Sequence, residues 1–417
     1  MKASEMDTWR FKKKLSKFAA MNQRELFLRH VAQTSTAPLA IEIVKAEACN
    51  IWDAQGKKMI DLISGISVCN VGHRNPRVLD AIKDQLDKYM HIMVYGEMVE
   101  SPQVQFATKL AAHLPSGLDA VYFTNSGAEA VEGAMKLAKR VTGRTKIVAF
   151  KESYHGSTQG ALSIIGDEYW RNAFRPLLPD VYHLQHGEMN SLDEIDQHTA
   201  CVVVELIQAE RGVVAPSVEW VQALRKKCSE VGAMLIADEI QTGFGRTGYL
   251  FASEKFDIKP DVILLGKAIG GGMPLGAFVS SHDNMMQLAA EPVLGHITTF
   301  GGHPVCCAAG LAAMNVLLDE NLITHVEAKR SLFEKRLVHP LVKSFRSEGL
   351  LMAIEFDSFE INKRVIDLCI EHGAFTDWFL FASHCMRLAP PLVITEEEID
   401  EACNIILQCC DLIAERH

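Results

Sequence analysis

Between about residue 100 and residue 265 the chain alternates helical segments with short apolar runs, and this alternation limits its fold more than any other feature. Residues 101–114 carry apolar side chains at helical spacing, 120–123 form a short strand-like run, and 128–140 read as a helix rich in small residues. Further strand-like runs occupy 146–150, 201–206, 234–237 and 261–265, with a helix expected at 218–231. Short runs that are apolar at every position suit strands buried on both faces. Their βαβα order predicts an α/β fold, a mostly parallel sheet covered by helices on both sides. Ligands in such sheets sit beyond the carboxyl ends of the strands, so the residues that follow each run carry the functional information.

After Pro304 the pattern changes. Helices are expected at 306–318 and 323–337, a strand at 350–355 and a long terminal helix at 396–415. The expected division is a large domain over 61–305 and a smaller α+β domain over 306–417. Residues 1–60 supply an N-terminal arm and pack on the smaller domain.

Composition excludes several classes. The formal net charge is −10 over 417 residues and no basic stripe interrupts the chain, which speaks against a nucleic-acid surface. No apolar stretch reaches the roughly 18 residues of a membrane span. The eleven cysteines include no CxxC pair, and Cys306-Cys307 and Cys409-Cys410 lie in apolar helical segments, as reduced core residues of a cytoplasmic protein would. The basic N-terminal stretch from Lys12-Lys13-Lys14 to Arg29 contains Glu5, Asp7 and Glu25 around or within it, and is expected to be a docking arm or helix rather than a targeting signal. His183 and His186 have i, i+3 spacing, but the Pro179 and Gly187 around them suggest a strand and loop, so no zinc site is expected.

Four features stand where strands should end. In Phe123-Thr-Asn-Ser-Gly-Ala-Glu-Ala130 a strand runs through a glycine turn into a helix, whose bare N–H groups can seat a phosphate, with the Ser126 hydroxyl as a further donor. The same letters also spell a capping box of Ser126 with Glu129. Asp238 and Glu239 follow the apolar run 234–237, where a carboxylate can keep a ring nitrogen protonated or simply cap a helix. Asp261-Val-Ile-Leu-Leu-Gly-Lys-Ala-Ile-Gly-Gly-Gly272 places Lys267 at the end of an apolar run. A desolvated amine there has a lowered pKa and attacks carbonyls, and the three glycines would let the backbone pass close to the site. Arg387, in Cys385-Met-Arg-Leu-Ala-Pro-Pro391, offers a planar fork that fits a carboxylate or forms a structural ion pair. A phosphate seat, a strand-end acid, a desolvated lysine and a carboxylate-binding arginine are together the parts that pyridoxal 5'-phosphate (PLP) chemistry requires.

From Trp52-Asp-Ala-Gln-Gly56 to Arg387-Leu-Ala-Pro-Pro-Leu-Val-Ile-Thr395 the chain resembles class III PLP-dependent aminotransferases of fold type I, the group that contains acetylornithine, ornithine and 4-aminobutyrate aminotransferases. The resemblance implies that Ser126, Gly127 and Ala128 hold the cofactor phosphate. It implies further that Tyr154 stacks on the pyridine ring, Ile240 packs on the opposite face, Asp238 pairs with the ring nitrogen and Gln241 reaches the ring hydroxyl. Lys267 matches the Schiff-base lysine. Thr299 matches a threonine that reaches the phosphate of the neighbouring subunit, which implies a homodimer. Arg387 matches the arginine that grips a substrate α-carboxylate, and Glu210 the glutamate that pairs with it when the substrate lacks one.

The implied activity is ping-pong transamination between an ω-amine or α-amino acid and a 2-oxo acid, with 2-oxoglutarate the expected acceptor. A decarboxylating transaminase or an aminomutase would use the same cofactor residues. A catalytically silent scaffold is opposed by the intact Lys267, Asp238 and Ser126. The chain departs from the family at the substrate end: Ser157 stands where members often carry an arginine for a distal carboxylate, Ile66 where ornithine aminotransferases carry tyrosine, and His303 where asparagine is usual. Arg171 or Arg175 could supply the missing charge.

Overall fold

The computed structural model describes residues 22–415; the Lys12-Lys13-Lys14 run lies outside them. The described part of the basic N-terminal stretch forms helix α1 (Gln23–His30), opened by a capping box in which Asn22 and Glu25 satisfy each other's backbone N–H groups. Strands β1 (Ile43–Glu47), β2 (Asn50–Asp53) and β3 (Lys58–Asp61) follow as an antiparallel meander.

Among the described residues the central sheet has seven strands. In chain order they are β4 (Ala120–Thr124), β5 (Lys146–Phe150), β6 (Val181–Leu184), β7 (Thr199–Val204), β8 (Met234–Asp238), β9 (Val262–Leu265) and β10 (Gly276–Ser280). In space the order is β4-β10-β9-β8-β7-β5-β6, and the pairs among β9, β8, β7, β5 and β6 are all parallel. Helix α2 (Ser101–Ala111) leads into β4, α3 (Gly127–Thr142) leaves it, and α4 (Val218–Val231) connects β7 to β8.

Alternate residues of the same strands go to opposite faces, and both faces are dry. Ile147, Ala149, Cys201, Val203, Met234 and Ile236 pack beneath the small-residue face of α3, formed by Ala130, Ala134 and Ala138. Val148, Phe150, Val202, Val204, Leu235 and Ala237 pack under Trp220 and Leu224 of α4. A side chain with no wet face is why each run reads as continuously apolar.

Several elements differ from the sequence expectation, among them a strand of the central sheet and the start of one helix. Strand β10 was not anticipated: it runs antiparallel to both β4 and β9, an insertion that no local pattern announces. The helix expected over 323–337 opens instead with a 3₁₀ turn, Leu322–His325, after Asn321 takes a left-handed φ of 52°. Of the three glycines after Lys267, the middle one serves helix packing. Gly271 has φ +58°, and a Cβ there would stand 2.8 Å from the carbonyl oxygen of Ala309, so it lets the turn lie against helix α5 (Pro304–Asp319).

Beyond α5 come α6 (Val326–Arg336), β11 (Ser344–Glu348), β12 (Leu351–Glu355), α7 (Phe359–His372), β13 (Ala374–Phe375), β14 (Asp377–Trp378), β15 (Cys385–Leu388) and α8 (Glu396–Ala414). Four of these strands form a second sheet in the order β11-β12-β15-β14. The two-residue β13 instead pairs in parallel with β3, joining the C-terminal part to the N-terminal meander. Cys306 and Cys307 on α5, and Cys409 and Cys410 on α8, are buried and free, as are the other cysteines apart from the half-buried, free Cys69.

One buried cation ties these parts together. The Arg246 guanidinium donates to the carbonyls of Leu350 and Pro390, to the Ser64 hydroxyl and to the Asn70 side chain. It therefore links the turn between β11 and β12, the segment after β15, and a loop in which Ser64, Gly65, Ile66 and Ser67 have φ of 44°, 63°, 63° and 60°. Left-handed conformations cost a non-glycine residue on the order of 1 kcal/mol each, so this loop holds its shape only because it is over-determined. The Asp61 carboxylate adds to that, accepting from the N–H groups of Ile63 and Ser64 at 2.9 and 2.8 Å.

Candidate active site

The carboxyl ends of β5, β7, β8 and β9 and the start of α3 surround a cavity of about 270 Å³. Gly127, Ala128, Tyr154, Ser157, Glu205, Asp238, Ile240, Gln241 and Lys267 are among its lining residues. The sequence-predicted cofactor residues on one chain are thus brought together, with Ser126 immediately behind. Ser126 is the N-cap of α3, its hydroxyl accepting from the Glu129 N–H at 3.2 Å. Glu129 does not complete a capping box; its carboxylate accepts from the backbone and side chain of Asn125. Gly127 and Ala128 leave the helix start facing the cavity, and a helix N-terminus is an anion seat.

The two acids after the β8 run divide by the alternation of the strand. Asp238 faces the cavity, while Glu239 turns away and accepts from the N–H groups of Ala252 and Ser253 at 2.9 and 2.7 Å. Asp238 accepts from the Ile240 N–H at 3.0 Å through one oxygen, and meets His155 Nδ1 at 2.6 Å through the other. Both side chains are buried. Burial alone would depress the His155 pKa, but the hydrogen bond to Asp238 and the charges of Asp238 and Glu205 raise it above the ordinary value, which favours the imidazolium. The pKa of Glu205 is also pushed up, to about 7, chiefly by burial, which for a carboxyl favours the neutral form. Glu205 accepts from the Tyr154 N–H at 2.9 Å and the Ala209 N–H at 3.3 Å. His155 and Glu205 were not singled out from sequence. The signal was available for Glu205, which follows an apolar run as Asp238 does; His155 stands inside a motif of which only the tyrosine was used.

Lys267 follows β9 at φ +50°, a conformation uncommon for a side-chain-bearing residue and typical of functional sites. Its amine donates to Gln241 Oε1 at 3.1 Å. Burial lowers its pKa, opposed by the charges of Glu210 and Asp238, so the neutral, nucleophilic form is favoured relative to a surface lysine. The residue before it, Gly266, is where the backbone must pass closely: a Cβ there would lie 2.9 Å from Ile240 and 3.3 Å from the Gly127 backbone. The amide nitrogen of Gln241 is buried without a hydrogen-bond partner, a donor aimed at nothing in the protein. A helix-start anion seat, a buried carboxylate, a free amide donor and a low-pKa amine around one cavity fit the phosphate, ring nitrogen, ring oxygen and aldehyde of PLP.

Arg387 and Glu210 do not line this cavity but lie within electrostatic reach of Lys267. Arg387 Nη1 and Nη2 donate to the two Glu210 oxygens at 2.8 and 3.0 Å, a bidentate pair with both side chains buried. Its Nε donates to Asp377 at 2.9 Å and its plane lies 4.6 Å from the Phe379 ring centroid. Burial acts to raise the Glu210 pKa, but the Arg387 charge together with the hydrogen bonds from Arg387 and the Leu380 N–H lowers it overall. Asp377, the second acid on this arginine, was not anticipated.

Other predicted residues lie elsewhere. Thr299 is exposed, in the loop before α5, and does not line its own chain's cavity. Arg171 and Arg175 do not line it either; both pair with Glu168. His183 lies beside Arg171 and His186 meets the Glu205 carbonyl, so they do not converge on a metal. Among the described residues Glu355, His384 and Cys385 have ligand-like spacing, but Arg346 already contacts Glu355 and Cys385 and places a cation there.

Comparison with known proteins identifies the family. Residues 31–410 match the family model described as aminotransferase class-III. The chain is 39% identical over 387 residues to an acetylornithine aminotransferase of Methanopyrus kandleri, covering 92% of this chain and 97% of that one. It is 36% identical over 377 residues, 88% of this chain and 94% of the other, to a [LysW]-aminoadipate semialdehyde/glutamate semialdehyde transaminase of Sulfolobus acidocaldarius. The structure superposes on an ornithine aminotransferase of Toxoplasma gondii with a TM-score of 0.87 and 30% identity, covering 97% and 99% of the two chains. With this fold, this cavity and these relatives, the chain belongs to the class-III aminotransferases and is a PLP-dependent enzyme of fold type I.

Proposed function

We propose that the enzyme transfers an amino group from an ω-amine or an α-amino acid to a 2-oxo acid, with 2-oxoglutarate as acceptor, in two half-reactions at one site. The observation that carries this reading is the bidentate Arg387–Glu210 pair. A guanidinium that holds an internal carboxylate in both hands can exchange it for a substrate's, so one pocket serves a partner with an α-carboxylate and one without.

PLP supplies an electron sink that lets negative charge form on the substrate carbon. The residues of this chain would position it and move protons. Ser126, Gly127 and Ala128 would seat its phosphate at the start of α3, and Tyr154 and Ile240 would flank its ring. Gln241 would donate to the ring oxygen. Asp238 would hold the ring-nitrogen proton, with His155 fixing the orientation of its carboxylate. Lys267 Nζ would attach the cofactor and, once displaced by the donor amine, carry a proton between substrate carbon and cofactor carbon; its lowered pKa keeps it basic but not permanently protonated.

We place the enzyme in the cytoplasm as a homodimer. The cysteines are free, and no single described helix is long and apolar enough to cross a membrane. The loop that carries Thr299 exposes Val293, Leu294, Ile297 and Phe300, and the His91 ring lies 4.8 Å from that of Phe300 in a tilted contact, bringing the exposed Met90, Ile92 and Met93 alongside. A joint apolar patch of this kind favours a subunit interface, across which Thr299 would reach the partner's phosphate seat.

The test is a single turnover of the holoenzyme loaded with an amino group, offered 2-oxoglutarate or pyruvate, with glutamate and alanine measured. Stoichiometric glutamate is expected. Carbon dioxide release from an α-amino acid mixed with the PLP-loaded enzyme, without nitrogen transfer, would replace transamination by decarboxylation, and alanine without glutamate in the single turnover would reassign the acceptor.

A further inference from the structure

Glu205 is a buried acid in the cavity lining that has no role in the transfer described above. Its two oxygens accept from two different segments. Oε2 takes the backbone N–H of Tyr154, at the wall of the cavity, at 2.9 Å. Oε1 takes the N–H of Ala209 at 3.3 Å, and Ala209 is the residue immediately before Glu210. One carboxylate therefore spans from the side chain that would stack on the cofactor ring to the turn that delivers Glu210 to Arg387.

A second strut runs the same way. The side-chain amide of Gln208, buried in the same turn, donates to the Lys151 carbonyl at 2.7 Å. Lys151 and Tyr154 both belong to the segment that leaves β5, so the turn is braced on that segment at two points. Only the Glu205 brace reaches Tyr154 on one side and the neighbour of Glu210 on the other. From outside, the turn is held by the Leu380 N–H on the Glu210 carboxylate and the Phe381 N–H on the Glu210 carbonyl, both at 3.0 Å. Packing alone would be served as well by an uncharged side chain, because burying a carboxyl near Asp238 is costly.

We infer that Glu205 is a positioning residue that fixes the Tyr154 wall and the Glu210 turn relative to each other, so that the cofactor seat and the Arg387–Glu210 site keep one spacing. The inference rests on the transaminase reading and adds to it a residue that acts through two others. The brace depends on ionisation. A carboxylate accepts well through both oxygens, whereas the neutral acid keeps one good acceptor and presents a hydroxyl to the other N–H. The Glu205 pKa is pushed up to about 7, chiefly by burial, with Asp238 adding to the rise and the His155 charge and the two N–H groups opposing it. Lys267 after β9 is the other charged group that feels Glu205, and His186 meets only its backbone carbonyl. The brace is complete above about pH 7 and loosens below it.

The test measures two dissociation constants: that of PLP from the holoenzyme at equilibrium, and that of glutarate, an unreactive dicarboxylate, from its effect on cofactor absorbance. Glu205→Gln keeps the size but only one acceptor oxygen. Glu205→Asp keeps the charge but is one methylene too short to span both N–H groups. At about pH 8 both variants should hold PLP about tenfold more weakly, the scale of one lost hydrogen bond to a charged acceptor. Both should bind glutarate about tenfold more tightly, because a loosened turn lets Glu210 leave Arg387 more readily. General destabilisation would not move the two affinities in opposite directions. The ratio of PLP dissociation constants between Glu205→Gln and wild type should shrink towards one as pH falls through about 7. If either affinity is unchanged in the folded variants, if both fall together, or if Glu205→Asp matches wild type, the inference fails and transamination stands. If wild type holds PLP but transfers no nitrogen from any amine, the transaminase reading fails, while the two constants still decide the brace. Should neither variant fold, amide hydrogen exchange of wild type decides. Protection of the Tyr154 and Ala209 N–H groups, corrected for the intrinsic rate, should fall together below about pH 7, and unchanged or unlinked protection overturns the brace.

Discussion

Lys267→Ala should lower nitrogen transfer by at least about 10⁴-fold, because it removes both the attaching nucleophile and the proton carrier, the latter alone contributing about 10² to 10⁴. The protein itself should survive. The amine makes one hydrogen bond in the fold, to Gln241, and burial already disfavours its charge, so the loss of stability is about 1 kcal/mol or less. The measurement pairs stopped-flow single turnover with an absorbance spectrum of the loaded protein. The visible band of wild type should shift to that of unattached cofactor in the variant. Transfer within tenfold of wild type would remove Lys267 from the chemistry and return it to the role of a strand-end lysine.

Replacing Asp238 should produce the second large effect, and two variants separate its parts. Asp238→Asn keeps one acceptor oxygen for the two partners, the Ile240 N–H and His155, turns the other into an NH2 donor and deletes the charge, and the rate should fall about 10² to 10³-fold, as when a preorganised charge is withdrawn from a developing one. Asp238→Ala also leaves His155 buried without its partner, and should cost about 3–5 kcal/mol of stability. The sign of the pH dependence follows from His155. Its folded pKa lies above the ordinary 6.5, so the stability gained from the ion pair is complete below that value and is lost as pH rises through the raised one. The gap in stability between wild type and Asp238→Ala should therefore be widest in mild acid and narrow at alkaline pH, measured by denaturant titration across pH. A gap that widens as pH rises would show that His155 is neutral beside Asp238.

Much of this site could be read from the chain because its parts are attached to strand ends. A buried parallel strand leaves a run of apolar letters, and the first polar letter after it lies at the mouth of the sheet; that logic finds Asp238 and Lys267, and applied evenly it finds Glu205. What could not be read are facts of pairing between distant segments. Asp377 matters because it stands opposite Arg387, and nothing in Phe375-Thr-Asp-Trp378 states the register of β14 on β15. His155 matters because its ring reaches Asp238 from the end of another strand. The glycines after Lys267 invited a cofactor reading, yet Gly271 serves helix packing, while Gly266, a single letter before the lysine, is the one pressed against Gly127 and Ile240.

The antiparallel β10 carries a consequence for how the enzyme comes into being. The phosphate seat follows β4 and the lysine follows β9, and in the sheet these two strands are joined only through β10, which is made after both. Until β10 has inserted between them, no strand pairing sets the separation of β4 and β9, and the β4–β10 ladder that sets it joins Thr124 to Gly276, far apart along the chain. Such pairings bear the largest loop-closure cost and form slowly. A growing chain would thus complete its scaffold of β5, β7 and β8 well before it could capture its cofactor, which places activation at the end of folding rather than along the way.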